Sequence, residues 1–140
     1  MCIRDSYKIT DRKQVNQGLL VYTLHFASRE FMRNLRTRVN GAYDDKIDTI
    51  VAQIFADKTG IDSRKNLTLE ETRNSDKIVV PNMRPLNAIN MLAKKALAGK
   101  SKKGAGYYFY ETTKGLYFQS WENMCAHYGT REKDPIQQFF

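Results

Sequence analysis

The chain has 140 residues, enough for one compact domain or for one domain and part of another. Hydrophobic residues make up 41% of it, which excludes global disorder, and its apolar runs are far shorter than the roughly 20 residues of a membrane-crossing helix. The formal net charge of +8 is compatible with an acidic partner, nucleic acid included, but it does not bear on the fold.

The first six residues are set apart from the rest of the chain. They read Met-Cys-Ile-Arg-Asp-Ser, show no hydrophobic periodicity and resemble the translated read-through of a sequencing adapter. We therefore predict that residues 1–6 are not native, that the natural protein extends upstream, and that this segment does not belong in fold reasoning. The two cysteines, Cys2 and Cys125, have no paired spacing, so the sequence predicts no disulfide framework.

A strand and a short helix are predicted next. Residues 7–18 are polar and fit a loop or a frayed strand, whereas Leu19–Phe26 alternates with a period of two, which is typical of a strand. Because this strand is expected to lack partners, we predict that its exposed edge lowers the solubility of the isolated chain. Ser28 is suited to cap the helix that follows. The inner side of that helix is predicted to consist of Phe31, Met32 and Leu35.

Asn40-Gly41 predicts a turn, and an amphipathic helix follows it. Asp44 or Asp45 is predicted to cap the start of this helix, and Gly60 to end it. A short strand is then predicted over residues 67–70. The apolar face of the helix has helical spacing and consists of Ile47, Ile50, Val51, Ile54 and Phe55.

The segment from Lys77 to Ser120 is predicted to organise the fold. Its first strand, Lys77–Val80, is expected to end at Pro81. A second helix starts at Arg84-Pro85, because proline in the first turn loses no hydrogen bond and presets φ. The apolar face of this helix carries Leu86, Ile89, Leu92, Ala93, Ala96 and Leu97.

An aromatic β-hairpin follows a basic, glycine-rich loop at residues 99–106. Its strands are Tyr107–Glu111 and Leu116–Ser120, and Ser120 is predicted to cap a last helix that runs to about His127. The apolar side of that helix is predicted to comprise Trp121, Met124 and Cys125. Together these elements predict an α+β fold in which short strands and the hairpin pack with two main amphipathic helices.

No residue pattern in the chain predicts catalysis. Gly99-Lys100-Ser101 lacks the upstream glycine of a phosphate-binding loop, since position 94 is lysine, and it follows a helix rather than a strand. The two histidines, His25 and His127, are far apart and have no metal-binding spacing. Cys125, on an apolar helix face, fits a small core residue. We therefore predict no catalytic residue, no cofactor and no metal site, in a protein that is not an enzyme.

The basic loop and the aromatic hairpin permit two interpretations. In the first, aromatic side chains form a base-stacking platform beside the loop lysines, and the chain is a small basic α+β nucleic-acid-binding module. In the second, one face of the hairpin packs on the second helix and the tyrosines of the other face meet solvent or a partner. The residues concerned are Tyr107, Phe109, Phe118, Lys100, Lys102 and Lys103.

Several segments, taken in their order and spacing, carry a family resemblance. They are Val21–Glu30, Arg36–Val39, Ile47–Phe55, Glu70–Thr72, Val80–Asn90, Tyr108–Glu111 and Gly115–Ser120. The chain over roughly Leu20 to Ser120 thereby resembles the central baseplate hub proteins of T-even-type contractile-tailed phages. That family is related in fold to the hub part of type VI secretion spikes.

The resemblance implies a non-enzymatic structural protein of the virion, placed in the tail baseplate. Hubs of this family are trimers that join the tail tube to the spike, and they combine tube-like β-barrel domains with attached α/β domains. Residues 7–40 would then be the end of a β-rich tube-like domain with its connection, and residues 41–129 an α/β domain. Residues 130–140 would start a truncated following segment. The implied partners are further copies of the chain, the tail-tube protein and the spike protein, with no membrane.

Assembly contacts draw on aromatic and arginine anchors, so we predict interface positions among such residues. They are Arg84, Tyr108, Tyr110, Tyr117 and Trp121, together with Lys100, Lys102 and Lys103 of the basic loop. For Arg84, an ion pair with a nearby acid is an alternative to an interface role.

Overall fold

A computed structural model describes residues 4–99 and 106–126 and has the predicted mixed α+β character. The strands are β1 Arg4–Asn16, β2 Leu19–Ser28, β3 Val39–Lys46, β4 Leu67–Leu69, β5 Ser75–Met83, β6 Tyr107–Thr112 and β7 Gly115–Ser120. The helices are α1 Arg29–Arg36, α2 Ile47–Ala56, α3 Pro85–Ala93 and α4 Trp121–Ala126. The described residues form small open sheets and no closed barrel.

The hydrophobic core belongs to the part of the chain from residue 39 onward, which we call the body. It lies between α2, α3 and two small sheets. β3 pairs antiparallel with β5, and β7 lies between β4, to which it is parallel, and β6, to which it is antiparallel. All five apolar residues predicted for the face of α2 are buried, so the periodicity of 3.6 identified this helix correctly.

The start of α2 differs from the prediction. Asp44 and Asp45 lie in β3, which runs directly into the helix, and the N-cap residue is Lys46, whose side chain makes no capping hydrogen bond. The helix is capped instead by a side chain that is distant in sequence. The Thr72 hydroxyl accepts a hydrogen bond from the Asp48 N–H at 3.2 Å and donates to the Asp48 carboxylate. Thr72 therefore accepts from one of the backbone N–H groups at the start of α2 that have no partner within the helix. Because Thr72 is distant in sequence, no local pattern predicts this cap.

The predictions for Asn40-Gly41 and Pro81 are wrong for one shared reason. Asn40-Gly41 lies within β3 rather than in a turn, and β5 continues past Pro81 to Met83. The register between the two strands shifts here, because Val39 pairs with Met83 while Gly41 pairs with Val80. Such a bulge accommodates proline, which cannot donate to the ladder.

The second helix starts as predicted at Arg84-Pro85, but it ends earlier than its apolar pattern suggests. Pro85 occupies the first turn, and the C-cap residue is Lys94. Ala96 is buried beyond the helix, whereas Leu97 is 45% exposed and does not belong to the helical face. The last predicted cap is confirmed, since the Ser120 hydroxyl accepts from the Asn123 N–H at 3.2 Å at the start of α4.

Gly60 closes the turn after α2, and the position has no room for a side chain. The Gly60 N–H donates to the Asp57 carbonyl at 3.0 Å, and an added Cβ would lie 2.0 Å from the Ile54 carbonyl oxygen. We expect Gly60→Ala to lower the free energy of unfolding by about 2 kcal/mol, because the backbone must shift to relieve this contact. Urea unfolding of the variant measures the change.

Gly41→Ala is the matched control for Gly60→Ala. Its Cβ would meet only the Tyr43 ring, at an ordinary 3.4 Å, so we expect a change within about 0.5 kcal/mol. A loss for Gly60→Ala as small as that expected for Gly41→Ala would show that the backbone of the turn after α2 shifts at little cost.

The first part of the chain, residues 4–36, forms an arm made of β1, β2 and α1. β1 and β2 form a long antiparallel hairpin, which is a separate two-stranded sheet among the described residues. The polar segment at residues 7–18 is therefore mainly a strand. Pairing also includes residues 4–6, which face residues 26–28. Because strand pairing uses backbone groups and most side chains permit it, this pairing does not test the prediction that residues 1–6 are not native.

Candidate assembly surface

The hairpin of the arm exposes one apolar face, which is the main candidate for a functional site. The predicted alternation of β2 is confirmed, and Ile9 of β1 joins the same face because it pairs with Leu24. We call this set the apolar hairpin face, and its side chains are 38% to 61% exposed. It consists of Ile9, Leu20, Tyr22, Leu24 and Phe26. Contiguous exposed apolar residues mark interaction sites, and a lone two-stranded ribbon is at best marginally stable in water.

The helix α1 extends this exposed surface, which reverses the predicted orientation of the helix. The predicted N-cap is confirmed, because the Ser28 hydroxyl accepts from the Phe31 N–H at 3.2 Å. The buried residues of α1, however, are Glu30 and Asn34, while Phe31 and Leu35 are exposed and Met32 is half-buried. The reason is that α1 packs against a polar part of the body, the loop after α2 and the start of α3.

A cleft of about 350 Å³ lies where the arm meets the body. It connects the apolar hairpin face with the exposed side of α1. Its walls combine aromatic side chains of the arm with one carboxylate of β6. The lining residues are Tyr7, Phe26, Ala27, Ser28, Phe31 and Glu111.

The arm is attached to the body by a buried charge cluster. The Lys65 ammonium lies 2.7 Å from the Glu30 carboxylate of α1 and 2.6 Å from the Glu111 carboxylate of β6. The Ser63 hydroxyl donates to the other oxygen of Glu30 at 2.7 Å. The Glu30 side chain is 8% exposed and that of Lys65 is 17% exposed. Ions removed from water to this degree are retained only with such partners.

Further polar contacts complete the attachment. Arg29 donates to the carboxylate and the carbonyl of Asp62, both at 2.9 Å, and Arg33 donates to the Lys58 carbonyl at 2.6 Å. The Asn34 side-chain oxygen accepts from the Leu86 N–H at 2.9 Å. The arm therefore contacts the body through hydrogen bonds and ion pairs, and most of its large apolar side chains remain exposed.

The charge cluster makes stability dependent on pH in the acid range. Burial raises the pKa of Glu30, but hydrogen bonds from Lys65 and Ser63 outweigh burial, so the pKa lies below its ordinary value of 4.5. A carboxyl with a lowered folded pKa stabilises the fold above its unfolded pKa, and this contribution is lost as pH falls through the folded value. We expect the free energy of unfolding to decrease as the pH falls below 4.5. The free energy of unfolding of the Glu30→Gln variant should decrease less steeply over the same range.

Urea unfolding of both proteins between neutral pH and about pH 3 tests this expectation. Parallel curves for the unsubstituted chain and Glu30→Gln would contradict it.

Three of the predicted interface residues, Tyr108, Tyr110 and Tyr117, share the outer face of the β6–β7 hairpin, and Trp121 at the start of α4 lies beside them. Tyr110 and Tyr117 are paired across the strands and stack with ring centroids 5.3 Å apart. Tyr108, on the same side of β6, meets Trp121 edge-on at 6.3 Å, and both are mainly exposed. Arg84 is half-buried at the start of α3, away from this face, and the described residues place no acid within ion-pair distance of it. Lys100, Lys102 and Lys103 lie outside the described residues.

The proposed base-stacking aromatics belong to the inner face of the same hairpin. Tyr107 and Phe118 are buried against each other at 4.9 Å, Phe109 is half-buried at the edge of the core, and the Tyr107 hydroxyl donates to the Glu71 carbonyl at 3.1 Å. Burial, followed by the charges of nearby carboxylates, raises the pKa of Tyr107. Tyr107 and Phe118 are therefore not available to stack on bases, and the predicted packing of this face of the hairpin on the second helix is confirmed.

Other chemistry is limited in the part of the chain that the structure describes. Cys125 is exposed rather than a core residue, because α4 turns its apolar side outward. Within residues 4–99 and 106–126, no group of three or more acidic, histidine or cysteine side chains could hold a metal ion. None of the helices in these ranges has the length and apolarity that crossing a bilayer requires.

Comparison of the chain with protein-family models, curated proteins and solved structures gives no match. Function is therefore inferred from the arm and from the residues that carry the resemblance.

Proposed function

We propose that this chain is part of a structural hub in the baseplate of a contractile phage tail, where it joins the tail tube to the spike. The observation that carries the proposal is the exposed apolar hairpin face on the two-stranded sheet of the arm. Monomeric proteins rarely expose contiguous apolar surface of this kind, whereas a subunit of a larger β-structure buries it against its neighbours on assembly. The proposal that this assembly is a phage baseplate rests on the resemblance of the segments between Leu20 and Ser120 to the baseplate hub family.

In this proposal the arm and the body have different tasks. The hairpin is the part of a tube-like β-domain that contacts further strands, and the body is the attached α/β domain. The polar attachment through Glu30, Lys65 and Glu111 then orients the arm relative to the body. The proposed partners are two further copies of the chain, the tail-tube protein and the spike protein. The proposed location is the virion, and the proposed role is structural rather than enzymatic.

The test is to sequence the source DNA outward from the codons of Tyr7 and Phe140 and to express the complete reading frame. We expect the six codons for residues 1–6 to be absent there, the frame to continue upstream through β-rich sequence, and tail genes to lie beside it. Light scattering of the complete protein should then give the mass of a trimer. A genuine start at Met1 in a gene without tail neighbours would overturn the proposal.

The alternative prediction, a nucleic-acid-binding module, is less well supported. Its stacking residues Tyr107 and Phe118 are buried, and the +8 charge remains its main support. Binding of single-stranded DNA that weakens steeply with salt, and that is lost in the double variant Lys102→Glu, Lys103→Glu, would restore it. No binding at low salt would exclude it.

A further inference from the structure

The two outer edges of the hairpin differ in how they are protected against further strands. The outer edge of β1 is interrupted, because all three register shifts in the hairpin place the extra residue in β1. At one of these shifts Asp11 has a left-handed backbone, with φ of 54°. β1 also carries exposed charges, among them Lys8, Arg12 and Lys13. Bulges and charged side chains are the usual means by which natural edge strands prevent pairing.

The outer edge of β2 has none of these protections. Its ten residues, Leu-Leu-Val-Tyr-Thr-Leu-His-Phe-Ala-Ser, include no Lys, Arg, Asp, Glu or Pro, and the strand has no inserted residue. Among the described residues β2 pairs with β1 alone, so the backbone groups on its other side lack a strand partner. An uncharged edge without inserted residues that is rich in β-branched and aromatic residues is a template for another strand.

The charges of the hairpin indicate which side chains an added strand would carry. The hairpin, residues 4–28, holds four Lys or Arg and two Asp, so its net charge is +2. On the hairpin face opposite the apolar one, Lys8 is paired with His25 and Lys13 with Val21. Lys8 and Lys13 have no ion pair with the described acidic residues. A partner with carboxylates on this side would be attracted to them, and a basic partner would be repelled.

We propose that the free edge of β2 accepts an extended strand of a partner protein, with apolar side chains continuing the apolar hairpin face and carboxylates on the opposite face. The strand would add by backbone hydrogen bonds, as in other cases of β-augmentation. Alternating apolar residues would extend the surface formed by Leu24 and Phe26. This inference rests on the assembly role proposed above, but it does not require that the assembly is a phage tail.

The test uses the whole chain and a ten-residue peptide that alternates valine and glutamate, matching the length of β2. We expect the peptide to bind and to slow hydrogen exchange of the β2 amides that point away from β1, measured residue by residue by NMR. The outward amides of β1 should continue to exchange rapidly. A peptide of the same sequence with N-methyl groups on alternate residues should not bind, and one with lysine in place of glutamate should bind more weakly.

Thr10 and Thr23 provide a pair of variants, because they are cross-strand partners on the same face. The Thr10 hydroxyl also lies 2.9 Å from His25 Nε2 and donates to the Asp11 carboxylate at 3.1 Å, so the stability of each variant is measured alongside peptide binding. Thr23→Glu places a carboxylate next to the added strand, and Thr10→Glu places the same charge one strand further away. We expect Thr23→Glu to weaken peptide binding about fivefold and Thr10→Glu to weaken it much less, since like charges on adjacent strands repel most strongly when directly opposite.

Three results would overturn the inference: no binding of the acidic peptide, binding that protects β1 instead of β2, or equal effects of the two variants. Protection of the β2 edge that rises with protein concentration in the absence of peptide would identify a second copy as the occupant, which would also overturn it. Each result is distinguishable from failure of the phage-tail proposal, which depends on the reading frame, its neighbours and the mass of the complete protein.

Discussion

Replacing Lys65 with methionine should weaken the attachment of the arm to the body and lower the free energy of unfolding by about 3 kcal/mol. Methionine keeps much of the volume but removes the ammonium that lies 2.7 Å from Glu30 and 2.6 Å from Glu111. The Glu30 carboxylate is 8% exposed, so it would lose its cationic partner in a site that water barely reaches. Urea unfolding gives the global loss, and hydrogen exchange should show that the amides of α1 open first.

Two comparisons separate the charge cluster from a general effect of removing a lysine. Lys77 pairs with Asp44 at 3.5 Å, but both side chains are mainly exposed, so Lys77→Met should cost less than about 1 kcal/mol. Adding Glu30→Gln to Lys65→Met should recover part of the loss, because the buried charge is removed together with its partner. If Lys65→Met costs no more than Lys77→Met, the cluster does not hold the arm.

The elements with strong local periodicity could be read directly from the sequence. The helical spacing of α2 and the alternation of β2 each specify one buried or apolar face, and the aromatic hairpin has a short turn between two β-prone segments. In each case the local pattern and the final environment agree.

The errors arise where contacts distant in sequence decide the outcome. The apolar spacing of α1 predicts that Phe31 and Leu35 are buried, which is the ordinary result for an amphipathic helix. The orientation is reversed because Lys65 and Ser63, more than thirty residues away, bind Glu30. Local periodicity carries no information about those partners. The same limit explains the cap of α2 by Thr72.

Phe118→Ala should be the most destabilising of these substitutions, with a loss of about 3–5 kcal/mol in the free energy of unfolding. Phe118 is fully buried in β7, the middle strand of its sheet, where it pairs with Phe109 on one side and Leu69 on the other. Its ring also packs on Tyr107 at 4.9 Å. Removing it leaves a cavity at the centre of the core. Because a domain of this size has only about 5–15 kcal/mol of stability, the melting temperature should fall by at least about 10 °C.

Phe26→Ala is the matched comparison for Phe118→Ala, since it also replaces phenylalanine with alanine, but on the exposed apolar hairpin face instead of in the core. Phe26 is 55% exposed, so the isolated chain should lose less than about 1 kcal/mol of stability. If partners cover this face, the same substitution should instead weaken assembly of the complete protein, measured as dissociation of the trimer by light scattering on dilution. A large loss of stability in the isolated chain would mean that Phe26 already packs internally. An unchanged assembly would mean that the apolar hairpin face is not the contact surface.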